Sequence, residues 1–224
     1  LHLAFDSQDD TFNDPIRTSK AIFNVFSTTD FALTDLYSDE DMHFKVLIYH
    51  GATLYWAGWV ITGEYSEPYE MTPYQVQITA IDGLNYLKQI LFASSVTVTA
   101  GVETITYYTD RTLMSQVVLN IIGQFFATTF TEYVNVYDTA MDSAVGDSLF
   151  DQTYIDVDIF QDMYCWEVLM ELVKPFNAVV RLVNGEVVIC RPVSRVENTV
   201  YGRAFTDATT KSPVTFSADQ YIDR

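Results

Sequence analysis

The residues with most claim to chemistry are two aspartates one position apart, Asp156-Val157-Asp158, in the alternating run Tyr154 to Phe160 (YIDVDIF). Glycan hydrolysis needs a proton-donating acid and a second carboxylate at a set separation. On a D-x-x-D-x-D-x-E strand, Thr153 takes the first aspartate's place and Phe160 the acid's. A phenyl ring donates no proton, so the aspartates read as the wet face of a strand. The three histidines, His2, His43 and His50, lack the spacing of a shared metal site. Cys165 and Cys190 stand alone in a helix-like and a strand-like run and read as small core hydrophobes, with no disulfide indicated. The acidic loops with Asp39, Glu40 and Asp41, and with Asp138, Asp142, Asp147 and Asp151, lack the ordered spacing of a calcium loop. There is no glycine-rich phosphate loop and no G-x-S-x-G turn. No catalytic, cofactor-binding or metal-binding residue is therefore assigned, and the expectation is a protein that is not an enzyme.

The aromatic residues are the other notable set. Residues 53–88 carry Trp56, Trp59, Tyr65, Tyr69 and Tyr74. Tyrosine and tryptophan combine a large apolar body with a polar tip, which suits half-buried contacts between subunits. All five are candidate interface residues. Trp56 and Trp59, three apart in a strand-like run, face opposite sides of a sheet, which argues against a flat pair of sugar-stacking platforms. One is expected in the core and the other at an interface.

The elements that would position these residues follow from periodicity. Strands are expected at Lys20–Phe26, Phe44–His50, Thr53–Ile61 and Tyr74–Ile81, the last alternating Val76, Ile78 and Ala80 against Gln75, Gln77 and Thr79. Gly58 inside the third predicts a bulge or sharp bend. Residues 1–19 read as loop. Asp82 is placed as N-cap of a short helix from Gly83 to about Leu91. Thr112–Phe126 and Met163–Lys174 carry apolar residues at helical spacing, the second with Trp166, Leu169, Met170 and Val173 inward and Pro175 as its stop. Strands are also expected at Tyr133–Tyr137 and Tyr154–Phe160, a hairpin about Asn184-Gly185, and short strands near Val200-Tyr201 and Val214–Phe216. The fold class expected is α+β, mainly antiparallel β with two amphipathic helices inserted. The division is a first β domain over 1–92 and a second α+β domain over 93–224.

The chain has 224 residues, 30 Asp and Glu against 12 Lys and Arg, and a formal charge of -18. Binding nucleic acid tightly needs cations to neutralise phosphates, so that class is disfavoured. No apolar run reaches 18 residues, so no membrane insertion by this segment is expected. No signal peptide is visible. The opening at Leu1 and the close at Arg224 just after a strand-like run point to a fragment of a longer chain.

The segments LYWAGWV (54–60), EYSEPY (64–69) and PYQVQITAIDGLNYLK (73–88), and later CWEVL (165–169), Pro175-Phe176 and the 178–191 hairpin, resemble tail proteins encoded by phages and prophages of Bacteroidetes-type bacteria. The resemblance covers most of residues 44 to 192. Such proteins are similar to the baseplate hub of contractile-tailed phages and the matching part of type VI secretion spikes. The resemblance implies barrel-like tube domains and a homo-oligomeric ring, most readily a trimer, in the virion tail after assembly in the host cytoplasm. It implies tail-tube and tail-tip proteins as partners and a lumen that passes DNA without binding it, which the acidic balance suits. Receptor or carbohydrate binding at the tail tip is the alternative, and glycan hydrolysis the third reading.

Overall fold

The computed structural model describes residues 2–6, 15–29, 37–39, 42–62, 68–99, 101–125, 129–134, 148–191 and 199–217. The chain divides into two compact units. The first takes Leu1–Phe12, Arg17–Asn85 and Leu182–Gly185. The second takes Asn13–Ile16, Tyr86–Arg181 and Glu186–Arg224.

The first unit is built on five strands: β1 (His2–Asp6), β2 (Ile16–Ser27), β3 (Lys45–His50), β4 (Thr53–Val60) and β5 (Tyr74–Ile81). They pair antiparallel in the order β1-β2-β5-β4-β3. The alternation in β5 is reproduced in burial, with Tyr74, Val76, Ile78 and Ala80 inward. Register sets Ala21 beside Ala80, Phe23 beside Ile78 and Val25 beside Val76. One apolar face results, and Val60, Val46 and Phe44 pack into it. The loop expected over residues 1–19 is corrected: β1 and the start of β2 are strands, because backbone pairing outweighs the polar composition there.

β3 and β4 carry a register shift after Ile48, which pairs with Trp56 while Tyr49 pairs with Leu54. The irregularity thus falls at Tyr55 and not at Gly58. Gly58 serves a different need. A Cβ there would lie 2.2 Å from the Trp56 ring and 2.4 Å from the Ile81 carbonyl oxygen, so only glycine lets the indole fold across the strand.

The second unit follows the short α1 (Gly83–Tyr86). It comprises β6 (Ser95–Thr99), β7 (Val102–Thr106), β8 (Arg111–Leu113), α2 (Met114–Ile122), β9 (Phe130–Tyr133), α3 (Leu149–Gln152), β10 (Tyr154–Asp156), α4 (Cys165–Val173), β11 (Val179–Val183), β12 (Glu186–Cys190), β13 (Thr199–Phe205) and β14 (Lys211–Ser217). Its main sheet runs β14-β13-β9-β12-β11, while β8 pairs with β10 and β6 with β7 as separate two-stranded ribbons. The β9–β12 pair is parallel, so the sheet is not purely antiparallel. Asn184 and Gly185 both take positive φ (52° and 77°), as the two-residue turn between β11 and β12 demands.

Helix α2 buries Met114, Val117, Val118, Ile121 and Ile122 as its periodicity dictates. In α4 the inward face is Cys165, Val168, Leu169, Leu172 and Val173. Trp166 and Met170, expected inward, are only half-buried, and Trp166 instead receives the Lys88 ammonium 4.4 Å from its ring. Three further expectations are corrected. The helix after Asp82 stops at Tyr86, and Leu91 bridges to Tyr164 instead. The strand at Tyr154 ends at Asp156, whose carboxylate accepts from the Asp158 amide and starts a 3-10 turn at Val157–Phe160. The strand near Tyr133 is Phe130–Tyr133, and residues 135–137 lie outside the described ones.

The coarse class is mixed α and β, dominated by strands. The sheets are open, where closed barrel-like domains were expected. Among the described residues β3 pairs with β4 alone and β14 with β13 alone, so each sheet ends in an edge and not in the staggered seam that closes a barrel.

Candidate functional site

Three of the five candidate interface residues lie in the interior of the chain. Trp56, Trp59 and Tyr74 keep 5%, 4% and 5% of their surface. Tyr69 is fully exposed, beside Met71 at 91%. Tyr65 lies outside the described residues. Trp59 and Trp56 project from opposite faces of β4, as their spacing requires, but both are covered. The Lys45 ammonium sits 6.0 Å from the Trp59 ring.

Trp56 is anchored by hydrogen bonds through a residue that the sequence did not single out. Its indole Nε1 donates to Ser19 Oγ at 2.9 Å, and Ser19 Oγ donates to Asp82 Oδ2 at 2.7 Å. The Ser19 amide donates to the same carboxylate oxygen at 2.5 Å, and the Asp82 amide returns a bond to Ser19 O at 3.1 Å. These groups join β2, β4 and the end of β5 beneath the apolar face. Burial pushes the Asp82 carboxyl up to about 6, against the opposing pull of the Ser19 bonds and of the Asn85 and Leu84 amides. Asp82, expected as a helix cap, is in addition a buried cross-strand tie.

The second unit holds a larger buried polar cluster. Glu132 on β9 stands in register with Arg203 on β13. Ser148 Oγ donates to Glu132 Oε1 at 2.6 Å, and the Val134 amide donates to Oε2 at 2.8 Å. Burial raises the Glu132 carboxyl to about 7, while Ser148, Val134 and the Arg203 charge act to lower it. Ser148 also caps α3 in a box with Asp151, which in turn pairs with Lys211 on β14. A serine beside a carboxylate has the ingredients of an activated nucleophile. Here Ser148, Glu132 and Arg203 have at most 1% exposure, and the serine oxygen is committed to the helix cap. The arrangement ties β9, β13 and α3 together. The S-x-x-D sequence at Ser148–Asp151 is a capping-box signature and is the one legible sign of it. Burial of Glu132 and Arg203 has no sequence signal, since both look like surface residues.

The hydrolase pair is open to solvent, with Asp156 and Asp158 exposed and Phe160 in the core. Among the described residues no group of His, Cys, Asp or Glu could hold a metal. Of the two acidic loops, Asp39 accepts from the Tyr37 hydroxyl at 2.9 Å, while Glu40, Asp41, Asp138, Asp142 and Asp147 lie outside the described residues. Cys165 and Cys190 are buried free thiols, and burial pushes Cys165 up to about 12. An open groove of about 560 Å³ in the second unit is walled by Met114, Ile155, Ile159, Leu172, Pro175 and Phe176. Its carboxylate, Glu171, is bonded to Lys174 at 2.8 Å.

Several large apolar side chains are also exposed. Phe26, Tyr69, Met71, Val98, Val102 and Ile159 all face solvent. The fold and these surfaces define an α+β protein of open sheets, with two polar clusters buried in an apolar core and a set of large apolar side chains left exposed. Comparison with protein-family models, with curated proteins and with solved structures finds no match.

Proposed function

We propose that this chain is a structural component of a phage tail tip or baseplate hub. Copies of it, three in the simplest ring, join the tail tube to the tip and let DNA pass. It works in the virion tail, after assembly in the host cytoplasm, beside tail-tube and other tail-tip proteins. The observation that carries the reading is the set of large apolar side chains left in water, beside polar clusters that are closed off in the interior. Buried carboxylates and cations act as internal ties, while Phe26, Tyr69, Met71 and Val98 are presented to water. Aromatic residues and methionine are enriched where proteins meet, a role that Phe26, Tyr69 and Met71 suit. The charge of -18 supports a lumen that repels DNA. The resemblance of segments 54–60, 64–69 and 73–88 supplies the place in the tail.

A second reading, receptor or glycan binding at the tip, is favoured by Tyr69 alone, because stacking on a sugar needs an accessible ring. Trp56 and Trp59 are enclosed and offer no platform. Mass photometry and electron microscopy of the protein with tail-tube protein test the first reading. A closed assembly of fixed copy number supports it. A monomer at every concentration, without affinity for tail-tube protein, overturns it. Glycan-array binding abolished by Tyr69→Ala in a folded protein would favour the second.

A further inference from the structure

The strands β6 and β7 form a two-stranded sheet of their own and hydrogen-bond to no other strand among the described residues. Its strands, SVTVT and VETIT, turn about Gly101 and pair from Ser95–Thr106 to Thr99–Val102. Its base is tied down: the Ser94 amide donates to Thr106 O at 2.8 Å, and the Tyr107 hydroxyl donates to Asp162. Beyond that base nine of the ten strand residues are exposed, Ile105 alone being half-buried. A two-stranded ribbon in water is marginal without a further strand or a covering element. Natural edges are usually guarded by lysine, proline or a bulge. Neither strand has any of these, and eight of the ten residues are β-branched.

The two edges differ in charge. β7 carries Glu103, whereas β6 carries none. In a chain of charge -18, most surfaces of one copy repel those of another, and the β6 edge is exempt. Its sequence is also self-complementary about Thr97. Antiparallel pairing of β6 with β6 of a second copy sets Val96 against Val98, Ser95 against Thr99 and Thr97 against itself. The same operation on β7 would bring two Glu103 side chains onto one face of a narrow ribbon.

We propose that the β6 edge is a self-association surface, and that its occupant is β6 of a second copy, in a two-fold four-stranded ribbon centred on Thr97. An edge of five residues buries little area, so the contact is weak alone, with a dissociation constant in the micromolar range. It is a two-fold contact and does not depend on the tail reading: a three-copy ring can fail while this contact holds, and the reverse.

The test uses the whole chain with Thr97→Cys or, as control, Thr104→Cys on β7, each exposed. Directly opposed residues of an antiparallel pair lie within disulfide reach, so the thiols introduced at position 97 of two copies would meet at the dyad. The native cysteines are buried and stay out of the reaction. Under mild oxidation the Thr97→Cys protein is expected to form a disulfide dimer at least tenfold faster than the Thr104→Cys protein. Sedimentation of the unmodified chain is expected to show a concentration-dependent dimer that Val98→Glu weakens at least tenfold. Val98 is exposed, so its substitution leaves the core intact. Equal cross-linking of the two cysteine variants, faster cross-linking at position 104, or a Val98→Glu protein that dimerises like the parent would overturn the proposal.

Discussion

The β4 strand around Trp56 and the β6–β7 ribbon obey the same two-residue period and end in opposite environments. β4 carries two indoles and buries both. The ribbon carries valine and threonine and leaves nearly all of them in water. The difference shows that aromatic content is a poor guide to which strand stays exposed. A large ring gains most from leaving water, so a sheet closes over it when the backbone lets it in, and here Gly58 does. A ribbon of small β-branched side chains gains little from its own fold, and what remains is an unpaired backbone edge.

The largest expected contrast is in stability. Trp56→Ala removes a core ring and leaves the Ser19 hydroxyl without its indole donor, and should cost about 3–5 kcal/mol in denaturant titration. Val98→Thr in the ribbon should stay within about 0.5 kcal/mol. Similar costs for both would erase the comparison.

Proton linkage gives the next contrast. Folded Asp82 holds its proton up to about pH 6, whereas an unfolded aspartate loses it near 3.8. Between those values the folded state binds more protons, so Asp82 makes the protein more stable as pH falls through about 6 toward 4. A shift of about two units corresponds to about 3 kcal/mol. Glu132, raised from 4.5 to about 7, adds a slope of the same sign between those limits. Asp207 in the β13–β14 turn, held at about 2 by the Thr210 and Thr209 bonds, acts only below this window. Thermal melts from pH 4 to 7 should show the slope in the parent and a flatter one in Asp82→Asn. Ribbon substitutions should leave it unchanged, and a slope untouched by Asp82→Asn would show that Asp82 is not its source.

Gly58→Ala is the finer probe of the close approach. The added methyl meets the Trp56 ring and a backbone carbonyl that cannot retreat, which should cost about 1–3 kcal/mol in the same titration. The smallest stability effect is expected at Tyr69. Its exposure predicts a change within about 0.5 kcal/mol for Tyr69→Ala, together with weaker capture of tail-tube protein in a pull-down. Loss of stability instead would place the ring in the core.

Much of the first unit could be read from residues alone. The alternation of Tyr74–Ile81 gave its bounds and its inward face, because one face packs and the other meets water. The Asn184-Gly185 hairpin was equally plain, since few dipeptides accept two positive φ values. Other features lacked a local signal. Ser19 matters only because β2 lies where Trp56 and Asp82 converge, and register between distant strands is invisible in one sequence. YIDVDIF alternates like a strand, yet Asp156 caps its own following turn, a local bond that wins over the period. Ser95–Thr106 lacks the bulky residues that draw attention to a strand, although two five-residue β-branched runs about a glycine turn are a legible hairpin. Of the candidate interface set, spacing alone could say that Trp56 and Trp59 diverge, but not that both would be covered.

Assembly with copies of itself and with tail proteins is the function proposed for this chain. Native mass measurement of the whole chain with tail-tube protein, across a hundredfold range of concentration, tests it most directly. The expected result is a discrete closed assembly, a trimer in the simplest case, that persists on dilution and carries the tube protein. A chain that stays monomeric throughout and leaves the tube protein unbound would contradict it.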